Sequence, residues 1–109
     1  MPSLPDQING LDRVVHEPAR LAILTVLSAC DEADFAFLLS VTGLTNGNLS
    51  THLSRLEESQ LVGIRKQFVG KKPQTVAFLT ERGRKQIEEH WRRLKELRKG
   101  ASAVRRPSH

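Results

Sequence analysis

From Thr45 to Ser59 the chain reads TNGNLSTHLSRLEES. Wound as a helix at roughly 100° per residue, this stretch puts Leu49, Leu53 and Leu56 on one side. Gly47, Thr51, Ser54 and Glu58 lie opposite, flanked by Asn48 and Arg55, with Ser50 and His52 at the margins. The outward face of the first three turns is therefore short, polar and free of negative charge. Ser, Thr and Asn are indifferent helix formers, so a helix selected for stability alone would carry Glu, Lys and Ala there. Short donors and acceptors suit close approach to another polar surface. The major groove of duplex DNA admits one helix and offers base edges to Asn, Ser, Thr and Arg. The helix N-terminus adds free N–H groups and partial positive charge toward phosphate. Asn48, Ser50, Thr51, Ser54 and Arg55 are the candidate base-reading and phosphate-contacting residues.

A second group follows at once. Arg65, Lys66, Lys71 and Lys72 lie in a segment whose alternating Val62, Ile64 and Phe68 predict a strand, with Gly70 to Pro73 as a turn and Thr75 to Leu79 as the return strand. Lysines at a turn neutralise phosphates or lie along the minor groove, without reading sequence. The charge of the whole chain agrees. Residues 1–54 hold 2 Lys/Arg against 6 Asp/Glu, and residues 55–109 hold 15 against 6, so the formal +5 conceals an acidic half and a basic half. Such asymmetry points to a polyanion, nucleic acid first and an acidic membrane second.

The elements that must position these groups can be read in order. Ile8, Leu11, Val14 and Val15 are spaced as a short helical arm. After Pro18, in a first helical turn, ARLAILTVLSAC forms a buried helix. Asp34 caps a short helix with Phe35, Leu38 and Leu39 inward and Gly43 as its stop, and Thr45 caps the helix discussed above. Thr80 caps a long last helix whose Ile87, Trp91 and Leu94 form a narrow seam that Leu97 extends. The expected fold is mainly α with a small β-hairpin (α+β). Its domains are a flexible 1–7, one unit over 8–99, and a disordered basic tail over 100–109. Beyond Trp91 little chain remains to cover the seam, so Trp91, Leu94 and Leu97, completed by Ile8, Leu11 and Val14, are expected to pair two copies.

This succession resembles the winged helix-turn-helix transcriptional regulators of the MarR/ArsR type over about residues 11–99. The stretches that carry the resemblance are HEPARLAIL, LTNGNLSTHLSRLEESQLV, FVGKKPQT and FLTERGRKQIEEHW, in that order. It implies a homodimer that binds double-stranded operator DNA on a pseudo-palindrome and usually represses transcription. The recognition helix would span about 45–59 and the wing about 61–79, with Lys71 and Lys72 at the wing tip. Two other classes stay open: a sensor responding to a small molecule or metal, with no effector identified by the residues, and a winged helix that binds only protein or RNA.

Other chemistry is not expected. His16, His52, His90 and His109 are scattered without metal-ligand spacing to each other or to Cys30, the single cysteine. His52 is expected to pack or to touch phosphate, and Cys30 to be a small buried residue. No nucleophile triad, phosphate loop or carboxylate pair marks an enzyme, and no cofactor or metal is expected. With no run near the roughly 20 apolar residues that span a bilayer and no signal-peptide pattern in MPSLPDQING, a cytoplasmic protein follows.

Overall fold

A computed structural model describes residue 15 and residues 17–103. The order is α1 (Pro18–Cys30), β1 (Glu32–Asp34), α2 (Phe35–Thr42), α3 (Asn46–Glu58), β2 (Val62–Val69), β3 (Lys72–Leu79) and α4 (Glu81–Ala103). The expected arm residues Ile8, Leu11 and Val14 lie outside the described residues.

Local chemistry starts and stops these helices, at Pro18, Asp34, Gly43, Thr45 and Thr80 as the sequence predicts and at Glu17 in addition. Glu17 caps α1, its carboxylate accepting from Arg20 N, and Pro18 occupies the first turn. Asp34 caps α2 through Phe37 N at 2.7 Å, and Gly43 ends that helix in the left-handed region at φ 71°, where a Cβ is unwelcome. Thr45 caps α3 through Asn48 N at 3.2 Å. Thr80 Oγ1 accepts from Gly83 N at 2.9 Å and opens α4. Only Gly43, Leu44 and Thr45 separate α2 from α3, which makes the pair a helix-turn-helix.

The core forms where the helical seams meet the sheet. Ile23, Leu24 and Leu27 of α1, Leu38 of α2 and Leu49, Leu53 and Leu56 of α3 are buried together with Leu61, Val62, Ala77 and Ile87. Leu21, Val26, Phe35, Leu39 and Leu44 pack around them.

Several elements differ from the sequence-based expectation. The sheet has three antiparallel strands in the order β1-β3-β2, not two. Glu32 to Asp34 is too short to show alternation. It becomes a strand because β3 offers it an edge, in the register Glu32↔Phe78 to Asp34↔Val76. The hairpin is also tighter than expected. Val69 pairs with Lys72, so Gly70 and Lys71 alone make the turn, and Lys72 and Pro73 belong to β3. Gly70 has φ 63°, as a two-residue turn with glycine first requires. Pro73 is tolerated because β1 pairs only with Val76–Phe78, which leaves one edge of β3 free at that point. Cys30 is exposed rather than buried, its Sγ donating to Val26 O. It is the last residue of α1, where the helix ends at the surface. Finally, α4 runs to Ala103, four residues beyond the expected boundary at 99.

Candidate nucleic-acid interface

α3 turns all three of its leucines inward, with Leu49 and Leu56 fully buried and Leu53 nearly so. Asn46, Gly47, Asn48, Ser50, Thr51, Ser54 and Arg55 are exposed along its other side. A Cβ built on Gly47 would meet nothing within 4 Å. The first turn contains no acidic residue. The five candidate residues of this helix thus share one unobstructed polar surface, with the helix N-terminus at one end and Glu57 and Glu58 at the other.

The wing continues that surface. Side chains alternate along a strand, and directly paired residues share a face. Val62, Ile64, Lys66 and Phe68 therefore share a face with their partners Leu79, Ala77, Thr75 and Pro73. Val62 and Ala77 anchor this face in the core. Farther out, Lys66, Ile64 and Thr75 line one cleft with Ser50, Ser54 and Glu57 of α3. This face of the hairpin looks along the outward side of α3. Lys66 lies on it, Lys71 sits in the turn, and Lys72 follows on the opposite strand. Arg65 is not gathered with them. It lies on the other face, where its guanidinium holds both carboxylate oxygens of Glu32 at 3.1 Å and donates to Gln67 Oε1 at 3.2 Å. Arg55, Lys66, Lys71 and Lys72 are exposed, and none of them is engaged by an acidic side chain among the described residues.

Two residues that the sequence reading passed over fix α3 in place. Arg20 Nε donates to His52 Nδ1 at 3.3 Å, and Glu17 Oε2 lies 3.6 Å from the same nitrogen while accepting Arg20 N at 2.9 Å. His52 is thus a tie between α3 and the start of α1. Partial burial disfavours ionised Glu17. The N–H groups of Arg20 and Ala19 and the nearby His52 and Arg20 outweigh that, so the carboxyl titrates below its ordinary 4.5. A depressed carboxylate contributes stability that is present above the unfolded value and lost as pH falls through the folded one. Glu17→Gln is therefore expected to melt below the parent near neutral pH, with the gap narrowing as pH falls below the ordinary carboxyl value of 4.5. A constant difference down to about pH 3 would remove Glu17 from the tie.

On α4, Ile87 and His90 are buried, whereas Trp91 remains 46% exposed, with Leu94 and Leu97 half-buried. The His90 and Trp91 rings meet edge to face at 5.6 Å. Arg92 bridges Glu89 and Glu96, and Arg93 Nε reaches Glu89 at 3.0 Å. The charges of Arg92 and Arg93 are thus answered within the helix, and Arg84 reaches Asp31 at the end of α1 at 3.7 Å. Hydrogen bonds from Arg92 and Arg93 hold the Glu89 carboxyl below its ordinary value against the cost of desolvation. Among the described residues no helix is long and apolar enough to cross a membrane, and no group of three His, Cys, Asp or Glu lies together as metal ligands would.

The fold that carries this surface is shared by known proteins. The model of a winged helix DNA-binding domain matches residues 19–98. An uncharacterized protein of Methanocaldococcus jannaschii is 31% identical over 72 residues, which cover 66% of this chain and 78% of that protein. The solved structure of a transcriptional regulator homologue from Pyrococcus horikoshii OT3 superposes with a TM-score of 0.80 at 28% identity, covering 90% of this chain and 95% of that one. A MarR family transcriptional regulator from Silicibacter pomeroyi does so with a TM-score of 0.60 at 23% identity, covering 95% of this chain and 67% of that one. The chain belongs to the winged helix DNA-binding domain family and has the fold of MarR- and ArsR-type transcriptional regulators.

Proposed function

We propose that this protein is a sequence-specific, double-stranded-DNA-binding homodimer that represses transcription by occupying its operator. One observation carries the reading: α3 buries every leucine and, through its first three turns, leaves a bare hydrogen-bonding face without negative charge beside a basic wing. In this reading α3 enters the major groove. Asn48, Ser50, Thr51, Ser54 and Arg55 reach base edges and phosphates there, while Lys66, Lys71 and Lys72 lie on the backbone or at the minor groove. Arg65 braces the hairpin against Glu32 instead.

Dimerisation follows from α4, about 34 Å long at roughly 1.5 Å per residue. Its apolar seam continues through Trp91, Leu94 and Leu97, and Trp91 is left nearly half exposed. In the proposed dimer this seam pairs with its counterpart, Ile8, Leu11 and Val14 adding to it, so that residues 8–99 act as one DNA-binding unit. Two copies of α3 would then meet half-sites about 34 Å apart on an imperfect palindrome.

Selection of bound sequences from a random duplex pool tests the proposal. The expected product is an inverted repeat. Asn48→Ala is expected to lose about 1–3 kcal/mol of discrimination at the base it reads, relaxing the consensus there. A pool that emerges without any consensus would defeat sequence-specific regulation.

A further inference from the structure

The wing carries an apolar tip that phosphate binding does not explain. Phe68 is 73% exposed and Val69 59% exposed, the two most exposed large hydrophobic residues described. Phe68 pairs directly with Pro73, so ring and pyrrolidine stand side by side on the face that looks toward α3. Lys66 lies two residues before Phe68 on the same face, and Lys71 and Lys72 follow within four residues. An apolar tip ringed by unanswered cations is a poor fit to an ordinary protein partner, whose apolar patch would leave the lysines unmatched. It fits a groove whose walls are sugar, whose base steps offer apolar stacked faces once parted, and whose rims are phosphate.

The hairpin is braced next to its tip. Gln67 Nε2 donates to Gln74 Oε1 at 2.7 Å, and Gln74 Nε2 donates to Asp34 Oδ2 at 3.0 Å, tying both strands to the cap of α2. Arg65 adds the link to Glu32 on the same face. The tip is therefore presented by a stiffened ribbon, able to push against a stacked duplex rather than fold away from it.

We propose that Phe68, backed by Pro73, is a wedge that enters the minor groove beside each half-site and partly unstacks one base step, with Lys66, Lys71 and Lys72 clamping the flanking phosphates. This deepens the DNA-binding reading above and rests on it. Apolar wedges of this kind kink duplexes by about 20–90°. Pyrimidine–purine steps unstack most easily, so the wing would favour TA or CA/TG at a position where it makes no base-specific hydrogen bond.

The test uses the full chain and the duplex recovered by selection, labelled at both ends for energy transfer and carrying 2-aminopurine at the step under the wing. The parent protein is expected to shorten the end-to-end distance and brighten the 2-aminopurine. Phe68→Ala is expected to abolish both signals and weaken binding about 5- to 100-fold, the range of a lost base–aromatic contact, with the salt dependence unchanged. Phe68→Leu should keep most of the bend. Lys71→Ala should retain the bend and flatten the salt dependence. An unbent duplex under the parent protein, or unchanged affinity and bending in Phe68→Ala, overturns the wedge while DNA binding stands. Loss of binding in Phe68→Ala together with loss of the dimer in solution overturns it in favour of contact between copies. A parent protein that binds no duplex removes both readings at once.

Discussion

Raising the salt concentration from 50 to 200 mM is expected to weaken binding to the operator by roughly 10⁴-fold. The figure comes from counting cations. Arg55, Lys66, Lys71 and Lys72 are exposed and unclaimed by acidic neighbours in each protomer, which gives eight in the proposed dimer. Each phosphate contact contributes about −0.9 to the slope of log affinity against log salt, so eight give a slope near −7. The Lys71→Ala, Lys72→Ala double variant loses half of these contacts, and its slope is expected to fall to about −3.6. It should bind every duplex more weakly while keeping the same consensus, because phosphate contacts position the protein and base contacts specify. The counts exclude Arg65, whose charge is already met by Glu32, so Arg65→Ala should leave the slope as it is. Titrations by anisotropy at several salt concentrations decide the matter. An affinity indifferent to salt would mean that the basic wing does not meet phosphate.

Replacing Gly83 with alanine is expected to destabilise the domain by about 3 kcal/mol or more, at the upper end of overpacking costs. A Cβ there would sit 1.9 Å from Leu61 O and 2.9 Å from Leu79 Cδ1. Leu61 O cannot yield, because it accepts Thr80 N at 3.1 Å and Thr80 Oγ1 at 3.0 Å, the bonds that seat the start of α4 on the sheet. Separation of the two would lift α4 away from Leu61 and Leu79 and disturb the direction in which Trp91 is carried. At about 4–8 °C per kcal/mol for a domain of this size, the melting temperature should fall by roughly 12 °C or more. Gly47→Ala is the control. Its Cβ meets nothing, and a helical alanine is favoured over glycine by up to about 1 kcal/mol, so the fold should hold. A melting temperature unchanged in Gly83→Ala would show that α4 is not locked to the sheet at this point.

The residues that report on themselves were legible without coordinates. Leucines at spacings of four and three, a threonine before NGN, an aspartate before FAF and a glycine after SVT each act within one or two turns of helix, so α1, α2 and α3 and the caps of α2 and α3 are recoverable from local pattern. The same holds for the bare face of α3, which follows from winding fifteen residues. Residue alternation pointed to the hairpin and the bare helix face to DNA; the resemblance, carried by four ordered stretches, added the winged-helix arrangement, and the match over residues 19–98 agrees with it.

Interactions between distant parts of the chain were not legible, because nothing in either segment marks its partner. Arg65 looks in the sequence like one more basic wing residue, but a glutamate 33 positions earlier claims it. His52 looks like a groove-side residue, but Arg20 and Glu17 turn it into a tie. Glu32–Asp34 becomes a strand only beside β3, and Gly83 looks like a weak point in a helix until Leu61 O is found against it. Phe68 is the same lesson in reverse: alternation places it on a strand with Val62 and Ile64, but the strand outruns the core that covers Val62 and leaves Phe68 bare. Periodicity and caps are settled by neighbours a few bonds away, so residue order alone settles which segments are helices and which helix is left bare. Pairing, burial at strand ends and the fate of each charge depend on what folding brings within a few ångströms, and only the packed chain supplies that.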